Sequence, residues 1–327
     1  MSIVRTLFLA TAVEGTGSAY DTLQISVLYP AKLTRSDRER FFGVVDADPA
    51  GAPYPIVIHL NGVNCDPQRY QWLLLDLVRR GYVAVTVSWV AETMPGIVAL
   101  TPGMDLRFCR PDTYGTGPTA SAVTPVLRLL AEANAGDGPL AGMLDLDRVA
   151  LGGHSGGGSV ALHSADPRYF PCVRAAFCYG AHTAASTALG FDAGTILPIC
   201  SEMPFLLLGG SEDGVIVSSA VRYGTESHPD TPIRRTFAEA ITGARGDRYM
   251  AILRGANHFT VVHPSDPTAG RAFLDRAPQE DEDALRSVIS AAVGSFLDAH
   301  LRSEAGEAQD QLLACLQGPL VQSFERK

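Results

Sequence analysis

Short apolar runs and amphipathic stretches alternate along the chain. Residues 55–60 are apolar on both faces, as is typical of a strand inside a sheet that helices cover on both sides. Residues 67–80 then carry Trp72 and several leucines at helical spacing, and Gly81 is placed to end that helix. The sequence therefore predicts a buried strand followed by a helix.

The same alternation recurs on either side of this pair. Further strands are predicted at 23–29, 82–88, 148–152, 173–179, 204–208 and 248–253, and further helices at 121–135 and 280–301. Strands that alternate with helices favour the α/β class, with a mainly parallel sheet and helices on both faces. Because no repeat or linker interrupts the pattern, we expect a single domain over residues 1–327, in which 302–327 form a C-terminal extension with a short helix.

Composition and charge narrow the class of protein. With 46% hydrophobic and 19% charged residues, the 327-residue chain is expected to bury a large core. A net charge of -9 argues against a nucleic-acid partner, because phosphate binding needs clustered Lys and Arg. No stretch approaches the ~20 apolar residues of a membrane span. The apolar run 7–13 is short for a signal peptide, so we expect a first strand there and a cytoplasmic protein, with secretion left open.

The cysteines predict neither a metal centre nor a disulfide framework. They show no Cys-x-x-Cys pair and no Cys/His spacing that builds a zinc site. They are expected as small buried side chains: Cys65, Cys109, Cys172, Cys178, Cys200 and Cys315. No metal and no organic cofactor is expected.

The strongest chemical signal is the segment 151–158, Leu-Gly-Gly-His-Ser-Gly-Gly-Gly. It contains Gly-x-Ser-x-Gly centred on Ser155, after a predicted strand and before an apolar helical stretch. A serine that attacks a carbonyl stands on a sharp turn, where Gly153 and Gly157 avoid collisions with the neighbouring strand and helix. A phosphate-binding loop is the alternative, but the segment lacks both the P-loop Lys and the dinucleotide spacing. Ser155 is therefore predicted as a nucleophile.

Such a nucleophile predicts an acid and then a histidine further along the chain. Asp213 lies in the loop after one predicted strand, and His258 lies in the loop after the next. Because catalytic groups gather at the carboxyl ends of strands in open α/β sheets, these loops can converge on Ser155. Glu212 and His263 are the alternatives in the same two loops, and we prefer Asp213 and His258. The other histidines are weaker candidates.

The predicted chemistry also needs backbone N–H groups aimed at an oxyanion. Gly156, the residue after the nucleophile, supplies one of them. The second is expected from the segment 59–64, where Gly62 lets the chain turn and exposes the N–H of Val63. Asn64 is the alternative donor, and a plain Asn-Gly turn is the alternative interpretation of the segment.

Taken together, these motifs resemble the α/β-hydrolase superfamily. The similarity extends from Leu-Tyr-Pro-Ala at 28–31, through Asn-Gly-Val at 61–63 and the serine motif, to His258. Within the superfamily the chain looks like the branch of cutinase-like polyester hydrolases, platelet-activating-factor acetylhydrolases, chlorophyllases and dienelactone hydrolases. The resemblance implies that Val63 and Gly156 form the oxyanion hole. The chain departs from dienelactone hydrolases, which use cysteine as the nucleophile, and from the larger residue that commonly stands at the position of Gly156.

The sequence therefore predicts a serine hydrolase that cleaves a carboxylic ester through a Ser-His-Asp triad and an acyl-enzyme. Its substrate would be a small-molecule ester or another acyl compound. The alternatives are a thioesterase, an amidase or an acyltransferase in a biosynthetic pathway, since the same triad serves any acyl transfer. A catalytically silent binding protein on this scaffold is a further alternative, because fold alone does not give function.

Two segments match no family pattern. Residues 90–118 and 181–200, called here the wall segments, are expected to line the acyl and alcohol pockets. Their apolar and small residues favour an apolar substrate. A homodimer through residues 312–321 of the extension is one more hypothesis, prompted by the leucines in that stretch.

Overall fold

A computed structural model describes residues 3–14, 20–94, 96–224, 228–302 and 305–327. Within these ranges the strands are β1 (Ile3–Ala12), β2 (Thr22–Ala31), β3 (Tyr54–Leu60), β4 (Val83–Ser88), β5 (Val90–Met94), β6 (Ile97–Leu100), β7 (Leu144–His154), β8 (Val173–Tyr179), β9 (Phe205–Gly210), β10 (Arg248–Leu253) and β11 (Val321–Arg326). The helices are α1 (Asp37–Phe42), α2 (Gln71–Arg79), α3 (Val123–Ala135), α4 (Gly156–Ser164), α5 (Gly214–Ser218), α6 (Thr231–Arg235), α7 (Glu282–Leu301) and α8 (Ala305–Leu316).

Nine strands form one sheet in the order β1-β2-β4-β3-β7-β8-β9-β10-β11. The strands from β4 to β10 in this order run parallel to one another, whereas β2 pairs antiparallel with both β1 and β4, and β11 pairs antiparallel with β10. Parallel strands end at the same edge of a sheet, so the loops after β3, β7, β9 and β10 open on one side of the molecule.

Hydrophobic cores lie on both faces of the sheet. In β3, Ile56 and Ile58 pack into the core that contains α3 and α4, whereas Val57 between them packs into the core that contains α2 and α7. This is the alternation that a strand imposes on its side chains. The two-sided burial explains why the central strands are apolar at every position, and the predicted mainly parallel sheet with helices on both faces is confirmed.

Several predicted elements coincide closely with the structure. The strands at 173–179 and 248–253 have the expected bounds, and the helix at 67–80 is a 3-10 turn at 67–70 followed by α2. The sequence analysis does not predict the short helices α1, α5 and α6, nor the strands β5, β6 and β11. The β5–β6 hairpin lies within the first wall segment, and β11 extends the sheet beside β10.

The C-terminal extension packs on the rest of the chain. Leu312 and Leu316 of α8 are fully buried in the core that contains α7. These leucines therefore contribute to the chain's own core. The homodimer through residues 312–321 stays a prediction. The longest described helix, α7, is itself amphipathic and partly covered, and no helix in the described ranges is long and apolar enough to cross a membrane.

Candidate active site

Ser155 lies at the junction of β7 and α4, where the chain turns sharply. Its φ of 54° falls in the left-handed region, which residues other than glycine rarely occupy. The Ser155 N–H donates to the Tyr179 carbonyl at 3.0 Å, which fixes the turn against β8. As a result, the serine stands partly exposed at the carboxyl end of β7.

Two glycines let this turn, the elbow of residues 153–157, fit its surroundings. A Cβ atom on Gly157 would lie 2.3 Å from the carbonyl oxygen of Leu60, and one on Gly153 would lie 2.5 Å from the backbone of Gly157. Both neighbours are main-chain atoms, which cannot rotate away as a flexible side chain can. Glycine is therefore required two residues before and two residues after Ser155.

The loops after β9 and β10 bring Asp213 and His258 together. His258 Nδ1 and Asp213 Oδ2 lie 2.7 Å apart, and each side chain is only 2% exposed. The other carboxylate oxygen of Asp213 accepts the backbone N–H of Ile216 at 2.8 Å, because Asp213 also caps the N-terminus of α5. Both oxygens of the acid are thus held, and the acid in turn orients the imidazole.

The two rival residues point elsewhere. Glu212 faces Arg276, whose nearest nitrogen is 3.7 Å from the carboxylate. His263 is exposed on the surface. Of the residues weighed from the sequence, the structure therefore brings Asp213 to His258, and both His258 and Ser155 line one cavity.

Opposing influences act on the imidazole of His258. Burial lowers its pKa, but the charge and hydrogen bond of Asp213, with the charge of Asp275, outweigh burial and leave the pKa raised. An imidazole with a raised pKa is a stronger proton acceptor, as long as it remains neutral at the working pH. The pair is therefore suited to general-base chemistry near neutral pH.

Asp275 is a carboxylate near this pair that the sequence analysis missed. One of its oxygens accepts the N–H groups of Gly214 at 3.0 Å and His258 at 3.3 Å, and the other accepts the N–H of Phe259 at 3.1 Å. These hydrogen bonds link the loop that carries Asp213 to the loop that carries His258. Burial, the largest influence, leaves the Asp275 pKa raised. No sequence pattern marks this residue, because its partners are backbone groups far away along the chain.

The turn at 61–64, after β3, lies beside the elbow. Asn61 Nδ2 donates to the Gly62 carbonyl at 3.0 Å, and in the planar peptide the N–H of Val63 points away from that carbonyl. A Cβ atom on Gly156 would lie 3.0 Å from Val63 Cγ2, so the two predicted oxyanion donors are neighbours.

The geometry also distinguishes the alternative donor. The N–H of Asn64 donates to the Leu100 carbonyl at 2.7 Å and is therefore occupied. Gly156 is the first residue of α4, where a helix leaves the backbone N–H without an intrahelical acceptor. Among the described residues, Val63 N–H has no backbone acceptor either, which favours Val63 over Asn64.

A cavity of about 570 Å³ opens onto Ser155 and His258. Both wall segments contribute to it, for example through Ile97 of β6 and through Leu189 and Leu197. The remaining lining combines apolar, aromatic and small residues with polar ones, among them Arg222 and Arg271. The volume and the character of the lining are typical of a pocket for a small organic molecule.

Two further histidines line this cavity, and both are neutral at physiological pH. Burial lowers the pKa of His163 to about 4 and, aided by repulsion from nearby histidines, that of His182 to about 3. His182 Nδ1 accepts the N–H of Ala184 at 3.1 Å, so its proton resides on Nε2. The cavity therefore presents polar but uncharged rings to a bound molecule, including the ring of Tyr114 against His163.

The cysteines form no second reactive centre. All six are free thiols, and burial raises the pKa of Cys65 to about 11 and that of Cys178 to about 12. In the part of the chain that the structure describes, no group of three His, Cys, Asp or Glu side chains is arranged to hold a metal ion.

Comparison with known proteins identifies the fold. No family model matches the chain, and no curated protein matches it. A solved structure of a ferulic acid esterase from Streptomyces cinnamoneus is similar, with a TM-score of 0.58 and 19% sequence identity over 99% of this chain and 95% of that chain. At this identity the likeness shows the fold alone. The chain therefore has the α/β-hydrolase fold, as the sequence predicts, whereas its membership of the superfamily and of one branch within it stays a prediction.

Proposed function

We propose that the chain is a serine hydrolase of carboxylic esters, in which Ser155 is the nucleophile, His258 the general base and Asp213 the orienting acid. The observation that carries this proposal is the 2.7 Å hydrogen bond between His258 and Asp213, next to the cavity that Ser155 also lines. A buried acid that holds Nδ1–H of an imidazole leaves Nε2 as the proton acceptor for a serine. The raised pKa of His258 supports the same role.

The proposed reaction has two halves. His258 Nε2 takes the Ser155 proton as the serine oxygen bonds to the ester carbonyl carbon, and the proton then passes to the departing alcohol as the old C–O bond breaks. Water repeats these steps on the acyl-enzyme, releasing the acid and restoring Ser155. The N–H groups of Val63 and Gly156 hold the oxyanion in both halves.

The cavity favours esters with an apolar or aromatic acyl group. Tyr114, Phe191 and Tyr223 bring aromatic rings to its wall, and a volume of about 570 Å³ accommodates a substituted phenyl acid. The structurally similar protein is named as a ferulic acid esterase, and ferulate is an aromatic acyl group of this kind. We therefore include methyl ferulate among the substrates to be tested.

The test is hydrolysis of p-nitrophenyl esters of increasing acyl length, and of methyl ferulate, by the wild type and Ser155→Ala. We expect wild-type turnover and a loss on the order of 10⁶ in the alanine variant, as for other serine nucleophiles. Ser159→Ala is the matched control, because Ser159 lines the same cavity but its hydroxyl donates to the His182 carbonyl at 2.8 Å.

The control and a covalent probe separate the outcomes. Ser159→Ala should keep most of the turnover, and a fluorophosphonate should label the wild type but not Ser155→Ala. Turnover that survives in Ser155→Ala would overturn the assignment of the nucleophile. An unlabelled wild-type protein that turns over no ester would overturn the proposed function itself.

A further inference from the structure

His154, immediately before the nucleophile, is fully buried and lies between two parts of the site. Its ring packs against the ring of His258, with 4.6 Å between centroids. His154 Nδ1 lies 2.8 Å from the hydroxyl of Tyr70, and His154 Nε2 lies 3.0 Å from the His258 carbonyl oxygen. Tyr70 Oη in turn accepts the Gly62 N–H at 3.1 Å. One continuous hydrogen-bonded chain thus runs from the 61–64 turn to the backbone of His258.

The chemistry of the groups fixes the direction of every bond in this chain. A carbonyl oxygen only accepts, so Nε2 of His154 donates to the carbonyl of His258. Burial, with repulsion from His258 and His59, holds the His154 pKa well below its ordinary value, so the imidazole is neutral and Nδ1 is an acceptor. Tyr70 therefore donates its proton to Nδ1, and its oxygen is free to accept from Gly62.

The 61–64 turn depends on this chain for its position. The Gly62 N–H is held by Tyr70, while the Gly62 carbonyl is held by Asn61. These two bonds fix the peptide planes on both sides of Gly62, and the second plane carries the N–H of Val63. A Cβ atom on Gly62 would lie 2.9 Å from His154 Nδ1, which shows how closely the ring approaches the turn.

We propose that His154 is a positioning residue that, through Tyr70, holds the 61–64 turn in register with the backbone of His258. This inference rests on the proposed function, since it matters for catalysis only if Val63 binds an oxyanion and His258 is the base. His154 touches no reacting atom and exchanges no proton. Its contribution is that the oxyanion donor and the base keep a fixed separation through the reaction.

The first test is Tyr70→Phe, which removes the hydrogen bonds of the tyrosine hydroxyl to Gly62 and His154, together with its contact to the Cys65 thiol, and leaves the packing volume nearly unchanged. We expect kcat on the best p-nitrophenyl ester to fall about tenfold with KM little changed, because a misaligned oxyanion donor is felt only in the transition state. Rates are normalised to active sites titrated with a fluorophosphonate. An active-site-normalised kcat equal to that of the wild type would overturn the inference.

The matched control is Tyr82→Phe. Tyr82 is also fully buried, and its hydroxyl donates to Asp298 at 2.8 Å, remote from the cavity. A general loss of stability should appear in both variants as a lower melting temperature, whereas the loss in kcat should appear only in Tyr70→Phe. Equal kcat losses in the two variants would reduce the role of Tyr70 to packing.

Variants of His154 test the hydrogen bonds of its two ring nitrogens one at a time. Gln places an amide N–H near the position of Nε2, and Asn places an amide oxygen near the position of Nδ1, whereas Ala removes both partners. We expect His154→Gln and His154→Asn to recover part of the kcat lost in His154→Ala. Because the chain is continuous, Tyr70→Phe should lower kcat little further in the His154→Ala background, and full additivity would contradict the proposal.

A measurement that needs no turnover keeps this inference separate from the proposed function. In ¹⁵N NMR the His154 ring, assigned by its loss in His154→Gln, should carry its proton on Nε2 and leave Nδ1 bare. A proton on Nδ1 would overturn the chain of bonds even in an active enzyme. Conversely, the expected tautomer in a protein that cleaves no ester would leave the chain intact and reject the proposed function.

Discussion

The elbow and the wall segments meet at the same cavity but are built in different ways. In the elbow, the glycines at 153 and 157 are dictated by main-chain atoms that lie within 2.5 Å of any added side chain. In the wall segments, regular structure within the described residues is limited to the β5–β6 hairpin and short 3-10 turns. There, Ile97 and Val98 are both exposed at the cavity.

In the proposed hydrolase, this difference separates the reaction from the choice of substrate. Backbone contacts with the sheet hold the elbow, so few sequences can form it and a change there should stop the reaction. Side chains on irregular segments form the wall, where a change should alter the preferred acyl group and leave the reaction running. Four measurements, from the largest expected effect to the smallest, test this separation.

Asp213→Asn tests whether the reaction depends on Asp213 as the orienting acid. The amide keeps the shape of the acid but favours the wrong imidazole tautomer in His258, and such a change lowers kcat by about 10⁴ in comparable triads. Ester turnover with active-site titration measures the effect. Glu212→Gln, which alters the neighbouring carboxylate that faces Arg276, should stay close to wild type. A small loss in Asp213→Asn together with a large one in Glu212→Gln would exchange the roles of the two acids.

Gly157→Ala tests the backbone constraint directly. The added methyl group would meet the Leu60 carbonyl oxygen, and we expect the free energy of unfolding to fall by about 3 kcal/mol. Urea denaturation measures this change. Gly138→Ala is the control, since an added Cβ there meets nothing within 4 Å, and its effect should stay within about 0.5 kcal/mol. If both variants were equally stable, the backbone of the elbow would be able to shift enough to accommodate the added methyl group.

Leu197→Ala probes the wall. Leu197 lines the cavity, so its truncation should shift the preferred acyl chain to a longer one and change kcat/KM by about tenfold for each ester, the usual scale for a methylene in an apolar pocket. Ile199→Ala is matched in burial, at 8% exposed for both residues, but Ile199 does not line this cavity. An unchanged acyl preference in Leu197→Ala would place the acyl group elsewhere.

Asp275→Asn tests the pH dependence, where we expect the smallest shift of the four; because an amide nitrogen cannot accept a backbone N–H, the variant's melting temperature is measured alongside. Because the His258 pKa is raised above its ordinary value of 6.5, kcat/KM should fall as the pH drops through a value above 6.5. Asp275 contributes to that rise, so the asparagine variant should move the acidic limb to lower pH. A pH–rate profile at constant ionic strength records the shift. An acidic limb that stays in place, or moves to higher pH, would show that Asp275 does not raise the pKa of His258.

The sequence predicts the parts of the fold that carry their own pattern. The strand at 173–179 is apolar on both faces apart from the exposed Arg174, and its bounds follow from that run alone. In β11, Glu325 and Arg326 are exposed, and the strand exists because β10 offers an open edge, which no local pattern reveals. The same limit applies to the site. The elbow is visible as a motif, whereas Asp275 binds backbone N–H groups as far as 61 residues away.

The left-handed backbone of Ser155 also bears on how this protein responds to selection. A non-glycine residue in such a region carries about 1–3 kcal/mol of strain, and glycine would relieve it at the same position. A library screened only for heat resistance would therefore enrich Ser155→Gly, a sturdier and inert molecule. Anyone who evolves this scaffold for industrial use needs turnover in the same screen, because selection for stability alone rewards loss of the proposed nucleophile.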